Sequence, residues 1–320
     1  MSHARRWVGV AVSATLVTGG LAVVLARQHP DSRPVRPVSA AGPAGTAVAA
    51  ASGPGPPAPA PPRPTAPSQT EAGWLAIAGA PGLSRLDAAA GVVLRADPSR
   101  IEVTLVPGTA EPVAGLPAAG AVPAERRPSL IAATNAGFKR HDAGGGEMID
   151  GRTVGVFAPG AASLVIRRDG SIDVGAWGQT AGPSPDNVAV LQNLTLLVDH
   201  GQPAASLDQD VLRRWGATYR PQLPVAVWRS GLGVDATGRL LYGAGPNVVP
   251  AQLAALLVSA GAVRAMELDI NHKWVFGADY AHPGPTADAV QGTKLLAGMG
   301  PDPAHVLRPG ERDFIAYYRR

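Results

Sequence analysis

Beyond Glu71 the chain is a succession of short apolar runs, each closed by Gly, Pro, Asn or Asp, the pattern of β-strands separated by tight turns. Such runs cover Gly91–Asp97, Ile101–Val106, Ser129–Thr134, Thr153–Phe157, Ser163–Arg168, Ser171–Trp177, Leu194–Asp199, Val225–Asp235, Arg239–Tyr242 and Asp313–Tyr318. Three connections predict hairpins: Pro98-Ser99-Arg100, Asp169-Gly170 and Ala236-Thr237-Gly238. A helix is predicted from Pro250, at its first turn, to Gly261, with Leu253, Leu256 and Leu257 on one face. A shorter one is predicted over Ser206–Trp215. No internal repeat occurs. The order of elements predicts an α+β fold with mixed, mostly antiparallel sheets and a few packed helices.

The run from Val263 to Trp274 breaks the apolar pattern. Read as a strand, it puts Glu267, Asp269 and, if the chain stays extended, Asn271 on one face, and Met266, Leu268 and Ile270 on the other. An unpaired ionised carboxylate is costly to bury, so Glu267 and Asp269 must be solvated, paired or lining a cleft. A second polar cluster, Asn135 to Asp142, follows the Ser129–Thr134 strand and precedes Gly144-Gly145-Gly146. Polar side chains at a strand end beside glycines are where ligands meet a sheet.

The first quarter of the chain has a different character. Trp7 to Ala26 carries no charged residue, a length close to the about 20 residues of a membrane-spanning helix, and Arg5 and Arg6 precede it. Residues 1–28 therefore read as a single N-terminal anchor, with a cleaved signal peptide ending at Val24-Leu25-Ala26 as the rival. Residues 29–70 are rich in Pro, Ala, Gly and Ser and lack the apolar bulk to order themselves. They predict a disordered tether that reaches on the order of 100 Å at about 3.1 Å per residue. Residues 71–320 form the folded domain. This arrangement predicts a single-pass protein of the cell membrane with its C-terminal domain extracytoplasmic.

Net charge is +4, and Lys139, Lys273 and Lys294 are the only lysines. No basic run is interleaved with aromatics, so no nucleic-acid partner is inferred. The Arg bias with abundant Ala, Gly and Pro suggests a bacterium of high genomic GC. Cysteine is absent, which excludes disulfides, thiolate chemistry and sulfur-bound zinc. The chain lacks a G-x-S-x-G elbow, H-E-x-x-H, a Walker loop and a Rossmann fingerprint.

Four stretches together resemble the phosphodiester glycosidase family. Thr134-Asn135-Ala136-Gly137-Phe138 is similar to its N-G-G-F-F motif. Asn193 to Gly201 looks like its N-G-P-L-L…G segment, and Arg229-Ser230-Gly231-Leu232-Gly233 its R-T-A-I-G. The Pro250 helix followed by Ala265 to Asp269 resembles its A-L-N-L-D-G-G-G-S block. Order and spacing match across 71–320. The chain departs from the family where L-D-G-G-G-S is replaced by Leu268-Asp269-Ile270-Asn271-His272-Lys273, and Ala136 and Lys139 stand for a glycine and an aromatic.

The resemblance implies a hydrolase acting on a glycosyl phosphodiester, and places Asn135, Gly137 and Asn193 in motifs near substrate. The chemistry is compatible with this. A phosphate ester is a good leaving group, so the site needs positive charge around phosphate and a carboxylate to activate water or stabilise an oxocarbenium-like sugar. Arg229 suits the phosphate through its planar fork. Asp269 is the first candidate for the carboxylate and Glu267 the second. Asn135 and Asn271 can hold sugar hydroxyls, and His272 or Lys139 can supply a proton or a charge.

Plainer roles stand beside these. Arg229 can pair with Glu267 or Asp269 as a buried bridge, Asn135 can cap a turn, and His272, Lys273, His141 and Asp142 can be solvated loop residues. Glu267, Asp269 and Asn271 also offer hard oxygen donors to a divalent cation, which would make the protein a metal-dependent phosphodiesterase. The altered Asp269-Ile270-Asn271 loop favours a third function, a binding protein that recognises an envelope glycan or phosphoglycan without cutting it.

Overall fold

The computed structural model describes residues 73–113, 115–116, 120–205, 207, 215–216, 225–284 and 289–320. The Trp7–Ala26 run, the Pro-rich stretch and most of the Ser206–Trp215 helix lie outside the described residues. Among the described residues no helix is long and apolar enough to cross a membrane.

The fold is α+β-like, with mostly antiparallel sheets and few helices. An eight-stranded sheet runs edge to edge through Leu75–Ala76, Leu83–Ala88, Gly91–Ala96, Leu240–Val248, Val227–Asp235, Ala262–Glu267, Leu196–Asp199 and Gln202–Pro203. One five-stranded sheet has the order Arg152–Val154, Glu147–Ile149, Asn187–Gln192, Ala162–Arg167, Ile172–Ala176. The other has Gln291–Lys294, Gly277–Ala281, Leu130–Asn135, Phe314–Arg319, Ile101–Val106.

Two of the predicted hairpins form. Ala162–Arg167 pairs with Ile172–Ala176 across Asp169-Gly170, where Gly170 takes φ 84° and the Ser171 amide donates to Asp169 Oδ1 at 2.8 Å. Val227–Asp235 pairs with Leu240–Val248 across Thr237-Gly238. The third prediction is corrected, because Gly91–Ala96 and Ile101–Val106 belong to different sheets. The turn between them does form, with Asp97 Oδ1 accepting from the Ser99 amide and hydroxyl at 3.0 and 2.7 Å. Beyond it Val92 and Leu94 from one sheet, and Ile101, Val103 and Leu105 from the other, enter a common core. Burying both apolar sets at once requires the strands to part. Gly91–Ala96 instead folds back on Leu83–Ala88, whose Leu-Ser-Arg-Leu-Asp-Ala sequence gives little strand signal.

Side-chain alternation divides the interior. Val92 and Leu94, Leu232 and Val234, Met266, Ile315 and Tyr317 point into the core shared by the sheets. Val93, Leu241 and Ala265 point to the other face of the large sheet, where the Pro250–Ser259 helix packs Leu253, Ala254, Leu256 and Leu257 on them. Gly231 and Gly243 lie under that helix. A Cβ on Gly243 would come within 2.9 Å of Leu257 Cδ2, and one on Gly231 within 3.1 Å of Leu257 Cδ1, so a side chain at either place would push Leu257 aside. The helix ends as predicted, with Gly261 at φ 98° just past Ala260.

Candidate functional site

The large sheet and the Leu130–Asn135 strand are joined by polar side chains at one end of their strands. Asn135 is nearly buried and donates to Ser230 Oγ at 3.0 Å and to the Ala136 carbonyl at 2.8 Å. Its Oδ1 accepts from the Phe276 amide at 3.0 Å and lies 2.9 Å from the Tyr242 hydroxyl. Every polar atom of Asn135 is therefore engaged. It joins the sheets where the sequence suggested either a turn cap or a sugar ligand.

Ser230 carries the junction to Asp269. The Leu268 amide donates to the Ser230 carbonyl at 2.8 Å, the Ser230 amide to the Asp269 carbonyl at 2.9 Å, and the Asp269 amide to Ser230 Oγ at 3.2 Å. The chain then turns, because Asp269 Oδ1 accepts the Asn271 amide at 2.8 Å and Asn271 Oδ1 accepts the Lys273 amide at 2.9 Å. Asn271 thus leaves the face that an extended chain would give it. Among the described residues no three His, Cys, Asp or Glu side chains gather as a metal-binding group.

Glu267 and Arg229 lie behind this point. Both are fully buried, and Arg229 Nη1 meets Glu267 Oε1 at 2.6 Å. Three further Arg229 donors reach the carbonyls of Val248, Trp215 and Val225 at 3.0 to 3.1 Å. Held by four hydrogen bonds and fully buried, Arg229 is not open to a substrate phosphate, and the buried-bridge role is the one its surroundings support. Glu267 Oε2 has no partner among the described residues, and burial raises the Glu267 carboxyl to about 7 against the pull of Arg229. Asn193 is also internal. It donates to the carbonyls of Glu267 and Leu268 at 2.6 and 3.0 Å and accepts the Phe138 amide at 3.1 Å, bracing the strand end against the Gly137 loop.

Asp269, 2% exposed, is the candidate carboxylate that lines open space, and Asn135, Gly137, Lys139, Asn271 and His272 line it too. Asp269 stands between two clefts of about 460 and 400 Å³, and Trp274 and Arg312 also line both. Arg312 Nη2 is 3.2 Å from Asp269 Oδ2 and 2.8 Å from the Gly137 carbonyl, and the guanidinium lies 5.4 Å from the Trp274 ring. Burial raises the Asp269 carboxyl to about 6, opposed by the Asn271 amide and the Arg312 charge. The first cleft also takes His272, Lys273, His305 and Asp313. The second takes Lys139, His141, Asp142 and Asn271. His272 Nε2 is 2.9 Å from the Gly298 carbonyl, with its ring tilted against Trp228.

Sequence reasoning missed Arg312. Its signal lay in register, since Phe314 pairs with Asn135 and so brings the residues before the closing strand to the Asn135 end.

A third carboxyl, Glu147, is fully buried beside Arg140, 2.8 Å from Nη1. Burial raises it to about 7, nearby Asp313 adds to the rise, and Arg140 opposes it. These raised carboxyls set a pH dependence. As pH climbs from about 4, the range of free carboxyls, to about 7, the unfolded chain releases protons that Glu147, Glu267 and Asp269 retain in the fold. Stability is fully present at the acid end of that window and is lost across it. One carboxyl raised from 4.5 to about 7 accounts for on the order of 3 kcal/mol. Urea denaturation is expected to give a lower unfolding free energy at pH 8 than at pH 5, with the difference reduced in Glu147→Gln. Equal or greater stability at pH 8 would contradict the burial described.

No family model matches the chain, and no curated protein matches it. Among solved structures it is similar to the catalytic domain of zebrafish N-acetylglucosamine-1-phosphodiester alpha-N-acetylglucosaminidase auto-inhibited by its pro-peptide, at 15% identity and a TM-score of 0.44, covering 74% of this chain and 77% of that one. It is also similar to a hypothetical protein from Synechocystis at 13% identity and a TM-score of 0.37, covering 77% of this chain and 61% of that one. Both likenesses concern the fold alone.

Proposed function

We propose that this protein is a hydrolase of glycosyl phosphodiesters, acting on a sugar-1-phosphodiester of the cell envelope and tethered to the cell membrane through Trp7–Ala26. The observation that carries the reading is the Asp269 carboxylate beside the Arg312 guanidinium on the wall of a cleft, 3.2 Å apart. The motif resemblance of the sequence supports it. Arg312 takes the phosphate role that the sequence assigned to Arg229, stabilising charge that grows on the departing phosphate. Asp269, ionised above about pH 6, activates water or stabilises the oxocarbenium-like sugar. Trp274 offers an apolar face, and His272 and Lys273 lie within the same cleft.

Arg312→Lys keeps the charge and loses the planar fork. It is expected to lower kcat/KM by about 10- to 100-fold, the worth of one or two charge-assisted hydrogen bonds. The acid limb of the pH–rate profile should stay close to the parent's, because lysine retains the charge that favours ionised Asp269. A rate matching the parent would remove Arg312 from the site.

One observation favours a second reading. Ile270 and Asn271 line the second cleft where the resembled family has glycines, and both Asp269 carboxylate oxygens are engaged within the protein. On this reading the cleft binds an envelope phosphoglycan and does not cut it. The two readings part in one experiment, in which the full chain is offered a panel of glycosyl-1-phosphodiesters. Free sugar and phosphomonoester in equal amounts support hydrolysis. Calorimetric binding without product supports the binding protein.

A further inference from the structure

A second groove, of about 500 Å³, lies along the strand Ile101–Val106. That strand is the edge of its sheet and hydrogen-bonds to Phe314–Arg319 on one side only, so backbone donors and acceptors on its other side stay unpaired by the sheet. The groove is walled opposite by Ile149, Ile166 and Val188 of the other five-stranded sheet. Phe314, at one end of the closing strand, pairs with Asn135 of the Asp269 cleft, whereas Arg320, beyond the other end, lines the groove. At about 3.3 Å per residue the two places stand roughly 20 Å apart along the strand.

Four arginines, Arg126, Arg167, Arg168 and Arg320, line this groove. Arg126 pairs with Glu102 at 2.9 Å and lies over the buried Tyr318 ring, and Arg167 stands 3.7 Å from Asp173. Arg168 and Arg320 are exposed and make no ion pair among the described residues. Glu102 and Asp150 are the acidic residues of the lining, and with Arg126 on Glu102 and Arg167 on Asp173, Arg168 and Arg320 stand against Asp150 alone. The groove continues into a space of about 260 Å³ that shares Leu105, Ile149, Arg126 and Asp150 with it, and that is otherwise walled by apolar side chains such as Val106, Pro107 and Ala121, with Tyr318. One end is therefore cationic and the other apolar.

We infer that this groove binds a phosphate-headed lipid, its phosphate at Arg168 and Arg320 beside Arg126 and its aliphatic stem in the apolar extension. Several planar forks suit a phosphate monoester, whose terminal oxygens accept from more than one guanidinium, whereas a carboxylate is satisfied by a single fork. Withdrawing the stem from water adds about 25 cal/mol per Å² of apolar surface. A nucleic acid would need aromatic faces open for stacking, and the Tyr318 ring is covered by Arg126. An acidic extended peptide could pair with the strand edge but would leave the apolar end unfilled. The inference does not depend on hydrolysis at Asp269.

The test is calorimetric titration of the full chain in a neutral maltoside detergent with dihexanoyl phosphatidate below its micellar concentration. Dihexanoyl phosphatidylcholine, inorganic phosphate and a hexaglutamate peptide serve as comparators. The expected result is saturable phosphatidate binding at least about tenfold tighter than any comparator, a gap of about 1.4 kcal/mol. Arg168→Glu/Arg320→Glu should weaken it by at least about tenfold, with Tm unchanged, since both side chains are exposed. Inorganic phosphate or peptide binding as tightly as the lipid would overturn the inference. So would undiminished lipid binding by the double variant.

Discussion

Asp269→Asn is expected to lower turnover of a glycosyl phosphodiester by about 10²- to 10⁴-fold, the range for a lost acid–base group, while leaving the fold at least as stable at pH 8. The two effects have opposite sign for one reason. Asp269 is only 2% exposed and burial raises its carboxyl to about 6, so its charge at neutral pH is a cost to folding that a chemical role would justify. Asparagine retains an oxygen for the Asn271 amide at the Asp269 Oδ1 position and carries no charge. Arg312 loses one partner but keeps the Gly137 carbonyl and remains 16% exposed, so it is not stranded. The stability gain should shrink from pH 8 to pH 5 and vanish only below about pH 4, where Asp269 is protonated in the unfolded chain as well as in the fold. Parallel rates and urea denaturation curves at pH 5 and pH 8 check both parts. A variant that loses stability at pH 8 in step with activity would assign Asp269 a structural role.

Arg229→Leu is expected to produce the largest stability loss, about 3 to 5 kcal/mol, because it leaves a buried carboxylate unpaired. Glu267 is fully buried, its Oε2 already has no partner among the described residues, and three carbonyls would lose their donors. Replacing both partners with leucine should recover much of the loss, since the charge that makes the single change so damaging is then gone. Denaturation of the two single variants and the double variant measures this coupling. If Arg229→Leu instead costs less than about 1 kcal/mol, as an exposed pair would, and abolishes turnover, Arg229 belongs to the chemistry after all.

The comparison of these two residues explains how far the sequence could be read. Period-two alternation and Asp-Gly or Thr-Gly turns made most strands and two hairpins legible, because each depends on neighbours in the chain. The Pro98-Ser99-Arg100 turn was visible, but the parting of its strands depends on a core assembled from distant segments. Likewise, the strand pattern of Glu267 and Asp269 marked a place where carboxylates needed an explanation. Their separate fates follow from what lies across from each. Arg229 encloses Glu267, whereas the Asn271 turn redirects the chain just after Asp269 and leaves it on a cleft. Arg312 approaches Asp269 from 43 positions along the chain, and pairing of the closing strand with Leu130–Asn135 is what brings it there. Asn193 stood in a motif without any local sign that its amide would brace the backbone of Glu267 and Leu268.

Hydrolysis of a glycosyl-1-phosphodiester by the full chain in ¹⁸O-labelled water tests the central claim most directly, because it identifies the bond that breaks. Attack assisted by Asp269 at the sugar, with Arg312 on the departing phosphate, predicts the label in the released sugar and none in the phosphomonoester. Label in the phosphomonoester would show that water attacks phosphorus, and would contradict the account.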